Sequence, residues 1–293
     1  MARALAIVIA SFFVCALATT AAAQSPRAGG PAPGDDPTSR IGADLGITGN
    51  LARGFVDRDL VAARGVVQGW DGPWGLYVQP YWLYGRIGTP AGKITTDNEV
   101  YLRIGLFRSL TPRFFVYGVN ALDHSLRRKI DVRNLTGAGA GVNIVAQKGL
   151  SLLASVGVLG EHADFFTASF EDHAEIMDDT RNVLRTSLRV YGRYKLAGGK
   201  LNLTHDFYYI PNPTEIGDDY RIMFYGALDA PIVKGFSARV QTDVTYEGLI
   251  QVGTKHDDLV LTFGVAYKNE WALNQPAPPP ATPAGTTNPS PAR

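Results

Sequence analysis

Arg185, Arg189 and Arg193 stand at every fourth position of the stretch RTSLRVYGRYK. Guanidinium groups repeated in this way are suited to gripping carboxylates or phosphates through paired N–H donors. A four-residue step holds side chains on one stripe of a helix, and it also holds them on one face of a strand, because every even step returns a strand to the same side. A helix would make the three cations an ordinary solvated face. A strand would place them with Ser187 and Tyr191, opposite Leu184, Thr186, Leu188, Val190 and Tyr194. Gly192 and the aromatic content favour the strand.

Three other stretches carry residues capable of chemistry. His205, in LNLTHDFYY, falls by parity on the apolar side of its segment, where an imidazole is costly and where a base acting on lipid would stand. No serine nucleophile converges on it and no G-x-S-x-G occurs, so snorkelling or a local register break is the expectation. Glu161, His162, Asp164, Glu171, Asp172, His173, Glu175, Asp178 and Asp179 could together hold a divalent cation. Their spacing matches no defined metal loop, and a solvated acidic loop is expected. TGAGAGVN resembles a phosphate loop but lacks its GK[ST] ending, so Gly137, Gly139 and Gly141 read as small inward residues of a strand.

The elements that must position these residues alternate with period two from Ile41 to Trp271. In VYLRIGLF, Val100, Leu102, Ile104 and Leu106 share one side while Glu99, Tyr101, Arg103 and Gly105 share the other. Twelve such segments can be read, at about 41–53, 58–70, 74–87, 98–110, 113–126, 134–147, 150–161, 182–197, 200–210, 219–231, 235–249 and 258–270. Most exceed the ~5–6 residues of an ordinary soluble strand and match the ~9–11 that a tilted bilayer-spanning strand requires. Connections after the even segments are short (DGP, TP, KG, GG, IVK), and those after the odd ones are longer, IGTPAGKITTD and DHSLRRKIDVR among them. This is the pattern of an all-β, up-and-down antiparallel transmembrane barrel with both termini on the short-turn side. An even strand count leaves no open edge in lipid.

Strand parity sends Glu99, Arg103, Arg185, Arg189, Arg193, Asp206, Arg221, Asp229 and Asp243 into the lumen as a charge network, along with Asp44, Arg64, Arg239, Glu247 and Lys268. An outward register would cost about 2–4 kcal/mol per arginine near the bilayer midplane. Two readings follow. The charges form a constriction that selects a small solute, or they fill and close a small barrel. No loop is long enough to be an obvious plug.

The chain has 293 residues and a net charge of +1, which gives no reason to expect a nucleic-acid partner. Residues 1–23 read as a secretory signal peptide: a cation at Arg3, an apolar run and a small-residue end at Ala21–Ala23. Cys15 lies inside that run, so the exported chain would have no disulfide framework. After it no apolar run of ~18 residues recurs, so no transmembrane helix is expected. Residues 24–40 and 272–293 are rich in Pro, Gly and small polar groups and read as solvated tails flanking a barrel at 41–271. Neither metal nor cofactor is called for.

The stretches RNLTGAGAGVNIVAQKGLSLLASVGVLGE, RTSLRVYGRYKLAGGKLNLTHDFYY, DYRIMFYGALDAPIVKGFSARVQTDVTYEG and HDDLVLTFGVAYK together resemble the DUF481 family of salt-induced Gram-negative outer-membrane proteins. The resemblance implies a barrel of unknown biochemical role associated with osmotic stress, and it carries over no catalytic or ligand residue. The short-turn side of an outer-membrane barrel faces the periplasm, so periplasmic termini, a setting of outer-membrane lipid and lipopolysaccharide and insertion by the barrel assembly machinery are expected. The reading is therefore a non-enzymatic barrel, structural or stress-related or a narrow porin-like solute pore, with an enzyme acting on outer-membrane lipid as the alternative.

Overall fold

Alternation of this regularity leaves the chain one way to hide both its polar face and its backbone, which is to close a sheet on itself. The computed structural model describes residues 39–52, 57–147, 149–171, 173, 175–176 and 178–272. The leader read in residues 1–23 and nearly all of both tails lie outside these residues. Twelve strands follow in order: β1 (Arg40–Ala52), β2 (Arg58–Asp71), β3 (Trp74–Thr89), β4 (Gly92–Ser109), β5 (Phe114–Ser125), β6 (Ile130–Gln147), β7 (Leu150–Phe165), β8 (Thr180–Leu196), β9 (Leu201–Pro211), β10 (Tyr220–Val233), β11 (Phe236–Glu247) and β12 (Asp257–Ala272). Every strand pairs antiparallel with its sequence neighbours, and β1 closes the barrel against β12 from Arg40↔Ala272 to Gly49↔Phe263.

All twelve expected segments are strands, with two corrections at the edges. The expected loop IGTPAGKITTD is mostly strand, because β3 and β4 run on to a tight turn at residues 90–91, after which Gly92 opens β4 with a φ of 124°. DHSLRRKIDVR contracts in the same way to a turn at residues 126–129. The long connections on the edge away from the termini are thus 166–179, 212–219 and 248–256.

Adjacent residues settle the register of the opening stretch. Arg185 is 3% exposed, whereas Leu184 is 63% and Leu188 48% exposed. The same alternation puts Leu45, Ile47, Leu106, Val156, Leu261 and Phe263 on the outside. A belt of this kind around a whole molecule far exceeds the few-hundred-Å² apolar patch that a soluble monomer exposes. Rings border it at both edges, as barrel walls in lipid require. Tyr220, Tyr246 and His256 stack in series at the long-loop edge, with centroids 5.4 and 5.5 Å apart, and Phe236 and Tyr267 meet at 4.9 Å at the turn edge. Leu188→Arg on this face is expected to lower unfolding stability by about 2–4 kcal/mol. Urea titration of the refolded barrel in lipid vesicles measures it; an unchanged midpoint would mean that the wall does not face lipid.

The interior is packed rather than hollow. Leu60, Ala62, Leu83 and Val260 form one buried apolar group with Tyr81, and Ala121, Leu135, Leu159 and Ile210 form another with Tyr208. Gly139 and Gly157 are small for a reason: a Cβ on either would stand 2.6 or 2.7 Å from the Tyr117 hydroxyl, which lies across both. Phe107, Phe115 and Trp70 are buried inward toward the turn edge.

Candidate functional site

Between these apolar groups the lumen holds three tiers of ion pairs. The outermost, under the long loops, centres on two glutamates. Glu247 accepts Arg133 through both oxygens at 3.0 and 2.9 Å and Arg128 at 3.0 Å, and Arg221 lies 3.3 Å away. Glu161 accepts Arg185 at 2.9 Å and Arg221 at 3.2 Å, and Arg185 reaches on to Asp219 at 2.9 Å. On the opposite wall Arg127 donates to Glu99 at 2.9 Å and to Asp258 at 2.6 Å, and lies 3.5 Å from Asp97.

Arg127 and Arg128 come from the turn between β5 and β6. The Ser125 hydroxyl accepts the Arg128 backbone N–H at 3.2 Å and its Nε at 3.1 Å, while Lys129 takes a positive φ of 55°. That local geometry turns two consecutive arginines inward over the mouth. Burial opposes both charges, but Asp123, Glu99 and Glu247 around Arg128, and Glu99, Asp258 and Asp97 around Arg127, raise both guanidinium pKa values above normal. Above them the loops at 166–179 and 248–256 meet through a Phe170↔Gln251 bridge, with Phe170, Leu249 and Ile250 buried.

In the middle tier Arg189 grips Asp206 with Nε and Nη2 at 2.8 and 2.9 Å, and the Tyr208 hydroxyl donates to the same carboxylate at 3.1 Å. Arg103 donates to the Tyr208 hydroxyl and stands 4.4 Å from that ring's centre. Arg64 pairs with Asp243 and lies between the rings of Tyr81 and Tyr225, at 4.4 and 4.2 Å. These are cation–π distances. In the tier nearest the turns Arg239 grips Asp229 at 2.7 and 2.9 Å and reaches Asp44 at 2.9 Å. Arg193 is buried toward the same end.

Among the described residues two small cavities lie between the tiers. A cavity of about 80 Å³ touches Arg64, Arg103 and Arg127, and one of about 50 Å³ touches Arg133, Arg189 and Arg221, with Arg103 and Tyr208 bordering both. Each has room for a few waters. The carboxylates named here are engaged by guanidinium groups, an arrangement suited to bracing a wall rather than to moving protons.

All nine residues of the expected charge network face inward, but they do not form one site. Arg185, Arg221 and Glu99 belong to the outer tier, Arg103, Arg189, Asp206 and Asp243 to the middle, and Arg193 and Asp229 to the inner. Asp206 meets Arg189, Asp229 meets Arg239 and Asp243 meets Arg64. The sequence offers no loop long enough to be an obvious plug; what lies over the mouth includes two side chains of the four-residue turn at 126–129, Arg127 and Arg128. Glu161, assigned to the acidic loop, is a lumenal residue of β7, and extending the alternation of Ser155, Gly157 and Leu159 by one step would have found it. Arg127 and Arg128 carried no such signal, since parity ends where a strand does.

His205 corrects another expectation. The ladder runs unbroken through Gly192↔His205↔Gly226, without a register break. The ring occupies the space left by Gly192 and is covered by Tyr194, stacked at 5.5 Å with a 2.9 Å hydroxyl contact to Nε2, so it is shielded rather than snorkelling. In the acidic segment, His162 lies 2.9 Å from Asn182 and His173 2.9 Å from Glu175, while Asp172 lies outside the described residues. Among the described residues no three His, Cys, Asp or Glu side chains are grouped to hold a metal ion.

Fold and lumen together define a closed, twelve-stranded antiparallel barrel with an apolar outer wall and a charge-filled interior. The profile of the family described as "Protein of unknown function, DUF481" matches residues 49–268, and the chain belongs to that family. No curated protein matches it. Among solved structures, the NanC porin shares 11% identity over 78% of this chain and 100% of its own, with a TM-score of 0.47. The COG4313 outer membrane channel from Pseudomonas putida F1 shares 12% over 85% and 100%, at 0.43. The translocator domain of the autotransporter NalP from Neisseria meningitidis shares 12% over 80% and 89%, at 0.42.

Proposed function

We propose that this protein is a non-enzymatic barrel of the Gram-negative outer membrane, with periplasmic termini, whose lumen is closed at rest and which serves as a structural, stress-related element of the envelope. The signal peptide read in residues 1–23 supports export, and the apolar belt supports a bilayer around the wall. Outer-membrane lipid and lipopolysaccharide are its surroundings on this reading, and the barrel assembly machinery its route there. The observation that carries the closed state is the lumen itself. Among the described residues, the cavities between three tiers of paired charges measure about 80 and 50 Å³, so a solute taking this path would have to part Arg–carboxylate pairs to cross. The test is single-channel recording of refolded residues 24–293 in a planar bilayer. Inserted barrels are expected to show no reproducible steps, and regular openings in the unmodified protein would overturn the closed reading.

A further inference from the structure

Among the cavities along the described wall, one of about 640 Å³ lies on the outside, over β1, β2, β3, β4 and β12 with Phe236 of β11 at its edge. The registers show how it forms. One row of outward positions runs Tyr267, Leu45, Gly65, Pro80, Leu102, and the next runs Val265, Ile47, Ala63, Trp82, Val100. Ala63, Gly65 and Pro80 are the small or flat residues at the centre of these rows, and bulky side chains flank them. Leu45 and Trp82 stand proud at 48% and 41% exposure, while Gly65 is buried. The result is a trough with an apolar floor and rim.

The floor also coincides with an interruption of the wall. Between β2 and β3 the ladder holds Arg64↔Tyr81 and resumes at Val67↔Val78 in the same register, but the two intervening pairs are missing. Pro80 has no N–H to donate, so the carbonyl opposite loses its ladder partner in mid-strand. Proline is normally kept to edge strands and bulges, and a closed barrel has no edge. A break of this kind in a wall facing hydrocarbon calls for a local reason, and the trough lies directly over it.

We propose that the β2–β3 seam is a binding site for one acyl chain of a membrane phospholipid, seated on Ala63, Gly65 and Pro80 and held between Leu45 and Trp82. The trough is continuous with the lipid-facing belt, so hydrocarbon is the medium that reaches it. A chain lying on Ala63, Gly65 and Pro80 between Leu45 and Trp82 would make more dispersion contacts per methylene than one against a flat stretch of wall. The site rests on the membrane reading above.

The experiment uses the refolded full barrel, incubated with dipalmitoyl phosphatidylethanolamine in detergent and analysed by native mass spectrometry. The unmodified protein is expected to retain one phospholipid under activation that strips detergent. Gly65→Phe fills the trough, since a side chain there starts 3.1 Å from Leu45 and 3.3 Å from Pro80. Pro80→Val restores the missing donor and closes the seam. Both are expected to reduce retention about tenfold or more, the change a loss of contacts near one chain would bring. Ala140→Phe, equally outward on β6, is expected to leave retention unchanged. Heat-dependent gel mobility reports folding of each variant, and if Gly65→Phe does not fold, Pro80→Val carries the test. Retention by neither protein nor variants, or equal retention by all, would overturn the site while leaving the barrel reading intact. Failure of the unmodified protein to insert into vesicles would overturn both.

Discussion

Glu247→Gln is expected to be the most damaging single substitution in the lumen, lowering unfolding stability by about 3–5 kcal/mol, because it removes one partner of a buried charge cluster and leaves the others uncompensated. Glu247 faces Arg128, Arg133 and Arg221 at once. A neutral amide can still accept from one or two of them, but it cannot balance three guanidinium charges in a water-poor interior. Asp123 and Glu161 would remain as partners to Arg128, Arg133 and Arg221, which keeps the loss within this range. The double variant Glu247→Leu with Arg133→Met is expected to recover part of it, since buried ion pairs are often replaceable by packed apolar groups. Guanidinium chloride unfolding in vesicles, followed by tryptophan fluorescence, measures all three proteins. A Glu247→Gln midpoint equal to that of the parent would show the outer tier to be slack and solvated.

The second large effect concerns permeability. Replacing Arg127 and Arg128 together by Ala is expected to turn a silent barrel into one with resolvable conductance steps. The two arginines enter the mouth from a turn and not from the wall, so their removal opens space without breaking the ladder. It also leaves Glu99, Asp97, Asp123 and Asp258 short of cations, and like charges in one mouth repel each other and recruit water and cations. The open state is therefore expected to prefer cations over anions, read as a reversal-potential shift in a salt gradient. Silence from an inserted double variant would place the closure in the middle tier, at Arg103 with Tyr208 and Arg189 with Asp206. Together with the recordings of the parent protein, the two outcomes locate the barrier along the lumen.

Much of this architecture was legible in the chain because a membrane barrel obeys a period of two over long stretches. Arg185, Arg189 and Arg193 could be assigned inward from parity alone, and so could Asp206 and Asp229 on neighbouring strands. Parity states a side and says nothing of height, so it could not tell that Asp229 stands level with Arg239 and Asp206 with Arg189. Partners across a barrel are set by strand tilt and stagger, which depend on the whole closed sheet. For the same reason Arg64 and Asp243, far apart in sequence, could not be matched by reading either strand.

His205 shows the other limit. A histidine on an apolar face reads as a cost, and the cost is removed by residues found only through register: Gly192 beside it and Tyr194 above it. Pro80 is similar, an ordinary proline in a list of residues and an interruption of the β2–β3 ladder once the strand is closed in.

By itself the sequence determined the strand count, the inward and outward faces and the short-turn edge, because each follows from local alternation and turn composition. Tertiary structure alone decided which charges pair across the lumen, that Arg127 and Arg128 turn inward over its mouth, and that the wall carries a trough over Pro80. Those properties depend on which tiers and rows meet once twelve tilted strands close, and no local pattern encodes a distance across a lumen.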